Sequence, residues 1–381
     1  MRFVVTFVIC CFSTIIGFAQ YDTEALFVIT APNKKLTYKN LQLYPILAKD
    51  NFKLKHKHIG VYVGLKQALE EHKVMISENG GEHKVEDALA YLDNALKLWP
   101  EVASKTISHA LAYPENNKGA KIDSFTVFDD ELLHPEVQEK VEYDIVSQHL
   151  VLHNKSNDTI FIMAGEIIRG GQYDRIVARD MLIVPKRPAV DLPVFCIEKN
   201  RWQYNENGGP QFLQYGGMAS IEIRQAVQGA KSQSTIWELV DRMYEKYAYD
   251  KTTHAYSDVL LSNNYQKDVE GYFKYLNEAF NEEVNVVGLV VVSGKEVVAC
   301  DVFANTALFQ ESYKVLLASY VNEAVIHGSK PTLSATDVET YFQDLLNKKN
   351  EQVRVLDSYS TSFAVNGSIL HLVNYIVRRS K

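Results

Sequence analysis

Tryptophan and cysteine are scarce in this chain, with 3 Trp and 4 Cys in 381 residues. Cys10 and Cys11 fall in an apolar run near the start. Beyond that run only Cys196 and Cys300 remain, so at most one disulfide can form there, and two packed free thiols fit as well. Basic charge is not in excess either: 40 Lys and Arg face 47 Asp and Glu, a net charge of −7. With no basic stripe interleaved with aromatics, nucleic acid is not an expected partner. The sequence contains no His-Glu-x-x-His, Gly-x-Ser-x-Gly, Walker loop or dinucleotide fingerprint. Those absences exclude the commonest zinc proteases, serine hydrolases and nucleotide triphosphatases. His56-x-His58 has no carboxylate or thiol at ligand spacing and sits among lysines, so it reads as a solvated edge rather than a metal site. No metal or cofactor is expected. Repeats and low-complexity segments are also lacking.

What is present begins with an address. Arg2, the apolar run Phe3 to Phe18 and the pattern Gly17-Phe18-Ala19 have the form of a secretory signal, with cleavage after Ala19. The run is shorter than the roughly 20 residues of a spanning helix, so no membrane anchor is expected once the signal is removed. The expected location is periplasmic or secreted. The rest can bury one large core or two smaller ones, and we expect two packed domains, 20–205 and 206–381. There are 22 Tyr and 17 Phe; tyrosines in loop-like places such as Tyr173, Tyr204 and Tyr215 suit ligand contact, but Tyr is also a common strand residue.

Periodicity gives an α+β chain. Its first half is β-rich, a sandwich or barrel-like antiparallel sheet, with a helical insertion at about 82–140, where Ala88, Leu89, Leu92 and Leu96 recur at helical spacing. Asn154 to Asp158 reads as a polar hairpin turn. In the second half Trp237–Tyr247, Gln266–Phe280 and Leu308–Val325 are helical by spacing. Val286–Val292 and Glu296–Phe303 are strands joined by Ser293-Gly294-Lys295. Ser334 with Asp337 opens a further helix as a capping box, and Ile369–Val377 is strand-like.

The stretch Gly165 to Trp202 combines paired glycines, charges and a thiol with short apolar runs, Ile160–Ala164, Met181–Val184 and Pro193–Ile197. Its charges therefore fall at strand ends, exposed at a rim or held in pairs. The order Gly165-Glu166, Gly170, Arg175, Pro193-Val194, Cys196-x-Glu198, Arg201-Trp202 resembles the ADP-ribosylglycohydrolase and rhodanese-phosphatase-superfamily-associated domain, a bacterial family. The resemblance extends to Asn40-Leu41-x-Leu43-x-Pro45, Leu65 to Leu69, Glu78, Asp301 and Phe303. Tyr173-Asp174-Arg175 stands where the family has Gln-Asn-Arg. The family name implies a link to ADP-ribose or nucleotide metabolism.

Three functions fit these residues. Glu166, Arg175, Glu198, Arg201 and Trp202 would line a pocket for a small polar ligand, with Gly165, Gly170 and Gly171 admitting an anion to the backbone and the arginines forming planar forks; the resemblance implies an ADP-ribose-like, nucleotide or sugar ligand. Alternatively, if Glu166 and Glu198 converge across paired strands, one can be held protonated as acid while the other is base, as glycosidic hydrolysis requires. Cys196 is then a further candidate nucleophile, sharing a strand face with Glu198. In the third reading the same charges brace β-turns in a structural or interaction protein. Trp237 reads as a plug at an apolar helix position.

Overall fold

The computed structural model describes residues 25–31, 34–77, 148–170, 173–186, 188–198, 211–229, 231–247, 255–347 and 358–376. The expected signal and the expected insertion lie outside the described residues. So do Gly171, Arg201 and Trp202.

The first segment supplies β1 (Leu26–Val28), β2 (Thr37–Tyr38), β3 (Leu41–Ala48), α1 (Asp50–His56), β4 (Val63–Gly64), α2 (Leu65–Glu70) and β5 (Val74–Ser77). The second is all strand: β6 (Gln148–Asn154), β7 (Ile160–Ile162), β8 (Glu166–Gly170), β9 (Arg175–Val177), β10 (Met181–Ile183), β11 (Val190–Cys196) and β12 (Gln211–Met218). The third begins with helices α3 (Ile221–Gln228), α4 (Gln233–Tyr247), α5 (Tyr256–Leu261) and α6 (Asn263–Leu276). It ends with β13 (Val286–Ser293), β14 (Glu296–Phe303), α7 (Thr306–Ile326), α8 (Ala335–Asn347), β15 (Ser358–Val365) and β16 (Ser368–Ile376). The fold class is α+β, strand-rich in its N-terminal half.

Six antiparallel strands close a barrel in the order β11-β6-β5-β12-β8-β9. Closure leaves these short strands no free edge, and Ile76, Leu150, Leu152, Ile168, Leu192 and Val194 pack together in its core. A second sheet runs β1-β3-β13-β14-β16-β15, with β2 also paired to β3. Every residue of β13 is buried, which its run VVGLVVVS requires of a central strand covered on both faces. Leu289, Val291 and Phe303 meet α7 residues such as Leu316 and Tyr320 on one face. Val290, Val292 and Cys300 meet Val338 and Phe342 of α8 on the other. A small third sheet, β10-β7-β4, stands beside the barrel.

Pairing crosses the expected boundary at 205/206. Tyr44 of β3 pairs with Val290 of β13, so the main sheet is assembled from both ends of the chain, and β12 completes the barrel from beyond residue 205. Local signals are met closely. Gly294 (φ 66°) occupies the first central position of the two-residue turn between β13 and β14, where a type II′ turn takes glycine. Ser334 Oγ accepts from the Asp337 amide (3.1 Å) while the Asp337 carboxylate accepts from Ser334 N–H (3.3 Å), the reciprocal cap of α8.

Two local expectations need correction. Asn154–Asp158 is a turn held by the Asn154 side chain, which bonds Ser156 N (3.0 Å) and Asp158 O (2.8 Å), but it leads from β6 in the barrel to β7 in the small sheet. The two strands it joins do not pair. His56 is 3 % exposed rather than solvated: its ring lies 4.1 Å from that of Phe52 and its Nδ1 is 2.9 Å from Phe52 O, on the inner face of α1.

Candidate functional site

The motif strands β8, β9 and β11 are neighbours in the barrel, in register through Ile168↔Arg175 and Cys196↔Arg175. They carry Glu166 and Glu198 toward opposite ends of β9. Gly165 N–H donates to Val177 O at one end and Ile197 N–H donates to Asp174 O at the other. Three residues of strand, about 10 Å at 3.3 Å per residue, lie between those ends. Each carboxylate has its own partners, so two buried polar clusters take the place of one carboxylate pair.

The first cluster surrounds His371 where barrel, main sheet and helices meet. The Glu166 carboxylate accepts the Met163 amide (2.7 Å), and the Asp180 carboxylate accepts the Ala164 amide (2.8 Å), closing the turn that leads into β8. Asp180 lies 2.5 Å from His371 Nδ1, and Asp301 lies 3.1 Å from His371 Nε2. Arg224 of α3 donates to Asp301 at 2.8 Å and Tyr320 of α7 donates to its other oxygen at 2.8 Å. The imidazole also stacks on Phe303, centroids 4.3 Å apart.

Glycine at 165 is required for this packing. Its φ is 91°, and a Cβ there would collide with the Arg224 side chain. The Gly165-Glu166 pair thus seats an arginine from another element and caps its own turn.

Burial and charge set the protonation states. Burial acts to lower the His371 pKa, but the adjoining Asp180 and Asp301 outweigh it and raise the ring to about 9. With both ring nitrogens facing carboxylates, His371 is an imidazolium at neutral pH. Burial acts to raise Asp301, yet Arg224 and His371 hold it below the ordinary carboxylate range. Burial pushes Glu166 up to about 8, reinforced by Asp180 and opposed by the Met163 amide and Arg224, so it carries a proton at neutral pH. Its neighbour Tyr215 is raised by burial and by Glu166, at a geometry short of a regular hydrogen bond. Arg224 Nε and Nη1 and the Tyr375 hydroxyl are buried donors without a hydrogen-bond partner, and the guanidinium lies 5.2 Å from the Tyr375 ring centre.

The second cluster ties the barrel to the helical layer. Glu198, fully buried, accepts the Asp174 amide (3.1 Å) and faces the Ser257 hydroxyl (3.5 Å), and its carbonyl accepts Trp237 Nε1–H (3.2 Å). Asp174 accepts the Gly170 amide (3.2 Å) and pairs with Arg169 (3.3 Å). Arg175 donates to Tyr173 O (3.1 Å) and lies over the Tyr173 ring. The Gln233 side chain bonds both backbone groups of Cys196, at 2.9 and 2.7 Å, continuing the strand pairing of β11 with a side-chain amide. Cys196, half-buried on β11, and Cys300, buried on β14, are both free thiols. Their strands belong to different sheets, so they are not bonded to each other. A cavity of about 350 Å³ lies elsewhere, between α1 and the start of α7, lined by Phe52, Lys53, Val284 and Asn305.

Sequence reasoning thus brought Gly165, Glu166, Gly170, Arg175, Cys196 and Glu198 onto adjoining strands, yet it missed Asp180, Arg224, Tyr320 and His371 and gave Asp301 no role. A usable signal existed. Asp301 is the one acidic residue in VVACDVF and His371 the one basic residue in SILHLVNYI, strands otherwise fit for burial, and a charge there has to have a partner.

No curated protein and no solved structure matches this chain. The match of the family described as the ARG and Rhodanese-Phosphatase-superfamily-associated Protein domain runs over residues 115–373. It begins within the expected insertion and leaves out β1 to β5, although β3 is central to the main sheet and β5 closes the barrel. Strands β6 to β15, most of β16 and both polar clusters apart from Tyr375 lie inside it, and over that span the chain belongs to the ARG and Rhodanese-Phosphatase-superfamily-associated Protein domain family.

Proposed function

We propose that this protein is an exported binding module for a small polar ligand, with Arg224 as the central contact. The observation that carries this reading is the set of buried donors without partners: Arg224 Nε and Nη1 and the Tyr375 hydroxyl. Buried donors are nearly always satisfied in folded proteins, and three in one place call for an acceptor. A sugar, nucleotide or ADP-ribose oxygen supplies one, and the family name favours the last of these. Glu166, protonated at neutral pH, adds a donor beside them. Arg175 and Glu198 hold the barrel end that carries the motif.

The test is thermal-shift screening against sugars, sugar phosphates, nucleotides and ADP-ribose, with wild type beside Tyr375→Phe. That substitution removes a hydroxyl with no partner, so the unliganded midpoint should stay within a degree or two. A ligand that raises the wild-type midpoint should raise that of the variant much less. Absence of any shift in the wild type, or an equal shift in both, refutes the reading. Export rests on Arg2 and the run Phe3–Phe18. Amino-terminal sequencing of protein recovered outside the cytoplasm should begin at Gln20.

One observation favours a hydrolase as the second reading: Glu166 is neutral beside the Asp180 carboxylate, the split that acid catalysis uses. Glu166→Gln mimics the protonated acid and should fold normally. Turnover of an ADP-ribosyl or glycosyl substrate by wild type, lost in Glu166→Gln, would establish it; turnover retained by the variant would remove Glu166 from the chemistry.

A further inference from the structure

The main sheet ends differently on its two sides. On one side β1 is three residues long, with Leu26 and Val28 buried against the α8 face of the sheet. On the other, β15 runs eight residues and pairs only with β16. From Tyr359 to Val365 no residue is buried; Ser360, Ser362 and Ala364 are exposed and their neighbours half-buried. The partner strand β16 is almost wholly buried. Among the described residues no strand pairs with the outer side of β15. Its sequence, SYSTSFAV, contains no Lys, Arg, Asp, Glu or Pro. Proteins blunt open edges with charge, proline, short strands or a bulge, because an open row of amides and carbonyls templates another strand. Among the described residues the one such device here is a bulge between Phe363 and Ala364, which leaves Ser358 to Phe363 in regular register.

We propose that β15 is a self-association edge, pairing antiparallel with β15 of a second copy about a two-fold axis to make one continuous sheet across a dimer. Charge selects this occupant. A two-fold axis sets the central residues of the strand against their own copies, so a charge there would meet its like. A strand of Ser, Thr, Ala and aromatics meets no such repulsion. The exposed Ser362 hydroxyl sits where a cross-strand hydroxyl pair forms, while Ser360, which accepts from Asn374 (2.6 Å), and Tyr359 and Phe363 stay anchored to the fold. Tyr359 donates to Gln228 O (2.7 Å) and Phe363 stacks on Phe161. The edge is therefore held rigid by its own core, ready to receive a strand without rearranging. Backbone pairing along one strand is a small interface, so a dimer dissociating at micromolar concentration is expected.

Sedimentation velocity of the full chain between about 1 and about 100 μM reads this directly. Wild type should move from monomer to dimer mass across that range. Ser362→Lys with Ala364→Lys should remain monomeric at the top concentration, with an unchanged melting midpoint at the lowest, because both side chains are exposed. Hydrogen exchange supplies an independent reading on the unmodified protein: the β15 amides should slow as concentration rises while amides of β1 do not change. A wild type that stays monomeric throughout, or a dimer that the two lysines leave intact, overturns the proposal. Slowing of β15 amides only when a foreign extended peptide is added would overturn it too, in favour of a partner's strand.

Discussion

Around His371, charge answers charge; around Glu198, many of the bonds run through the backbone, at the Asp174 amide, the Glu198 carbonyl and both backbone groups of Cys196. In the first cluster Arg224 and His371 stand between Asp301 and Asp180, joining α3, β14, β16 and the turn before β10. In the second, Glu198 takes the Asp174 amide and faces Ser257, holding the end of β11 to its neighbour strand and to the helical layer. The first spans elements distant in sequence, so loss of one member strands a buried charge. The second ties strand ends to the helical layer through several separate bonds, so loss of one leaves the others in place. Equal burial thus does not mean equal consequence.

The sharpest way to break that contrast is to remove one member of each. Arg224→Met should lower stability by about 3–5 kcal/mol, since Asp301 keeps only His371 and Tyr320. Ser257→Ala, which takes a hydroxyl away from Glu198, should lower it by about 1 kcal/mol. Urea melts of both variants measure the difference, and equal losses would erase the distinction. The pH dependence gives the intermediate effect. His371 is raised in the fold from an ordinary 6.5 to about 9, so its stabilisation is complete below pH 6.5 and lost as pH climbs toward 9. Glu166, raised from 4.5 to about 8, adds a decline between those values because the unfolded carboxyl ionises first. Together they should take about 3 kcal/mol or more from the fold between pH 6 and pH 9. His371→Gln should be less stable at pH 6 and flatter above pH 7 in the same melts; an unchanged slope would show that the ring is not charged.

What the sequence made legible was local. A capping serine, a glycine between two apolar runs and a 3.6-residue spacing each act within a few residues, and α8, the β13–β14 hairpin, α4 and α7 all follow from them. Asn366-Gly367 is an equally good signal, with both residues at positive φ (49° and 74°), and it marks the turn that joins β15 to the expected strand at Ile369–Val377. Strand order was not legible. Whether Glu166 and Glu198 meet depends on β9 lying between β8 and β11, and hydrophobic alternation does not encode neighbours. For the same reason Arg224, Asp301 and His371 looked unrelated; Asp301 and His371 stand out in apolar strands, but Arg224 in the mixed helix IEIRQAVQ does not.

The placement of β3 bears on how the chain comes to be folded. Its eight residues are made early, and with β1 and β2 they form a local group, but the strand that covers the other side, β13, arrives only after most of the chain has been synthesised. Until then Leu41, Leu43 and Ile46 belong to a half-paired strand whose exposed backbone invites the wrong neighbour. Closing so long a loop is a slow step, and mixed topologies with distant pairings fold slowly for this reason. The N-terminal strands must therefore be shielded or held unstructured during synthesis. If the chain is exported, that delay becomes an advantage: a segment that cannot complete its sheet alone stays threadable until the last strands have crossed.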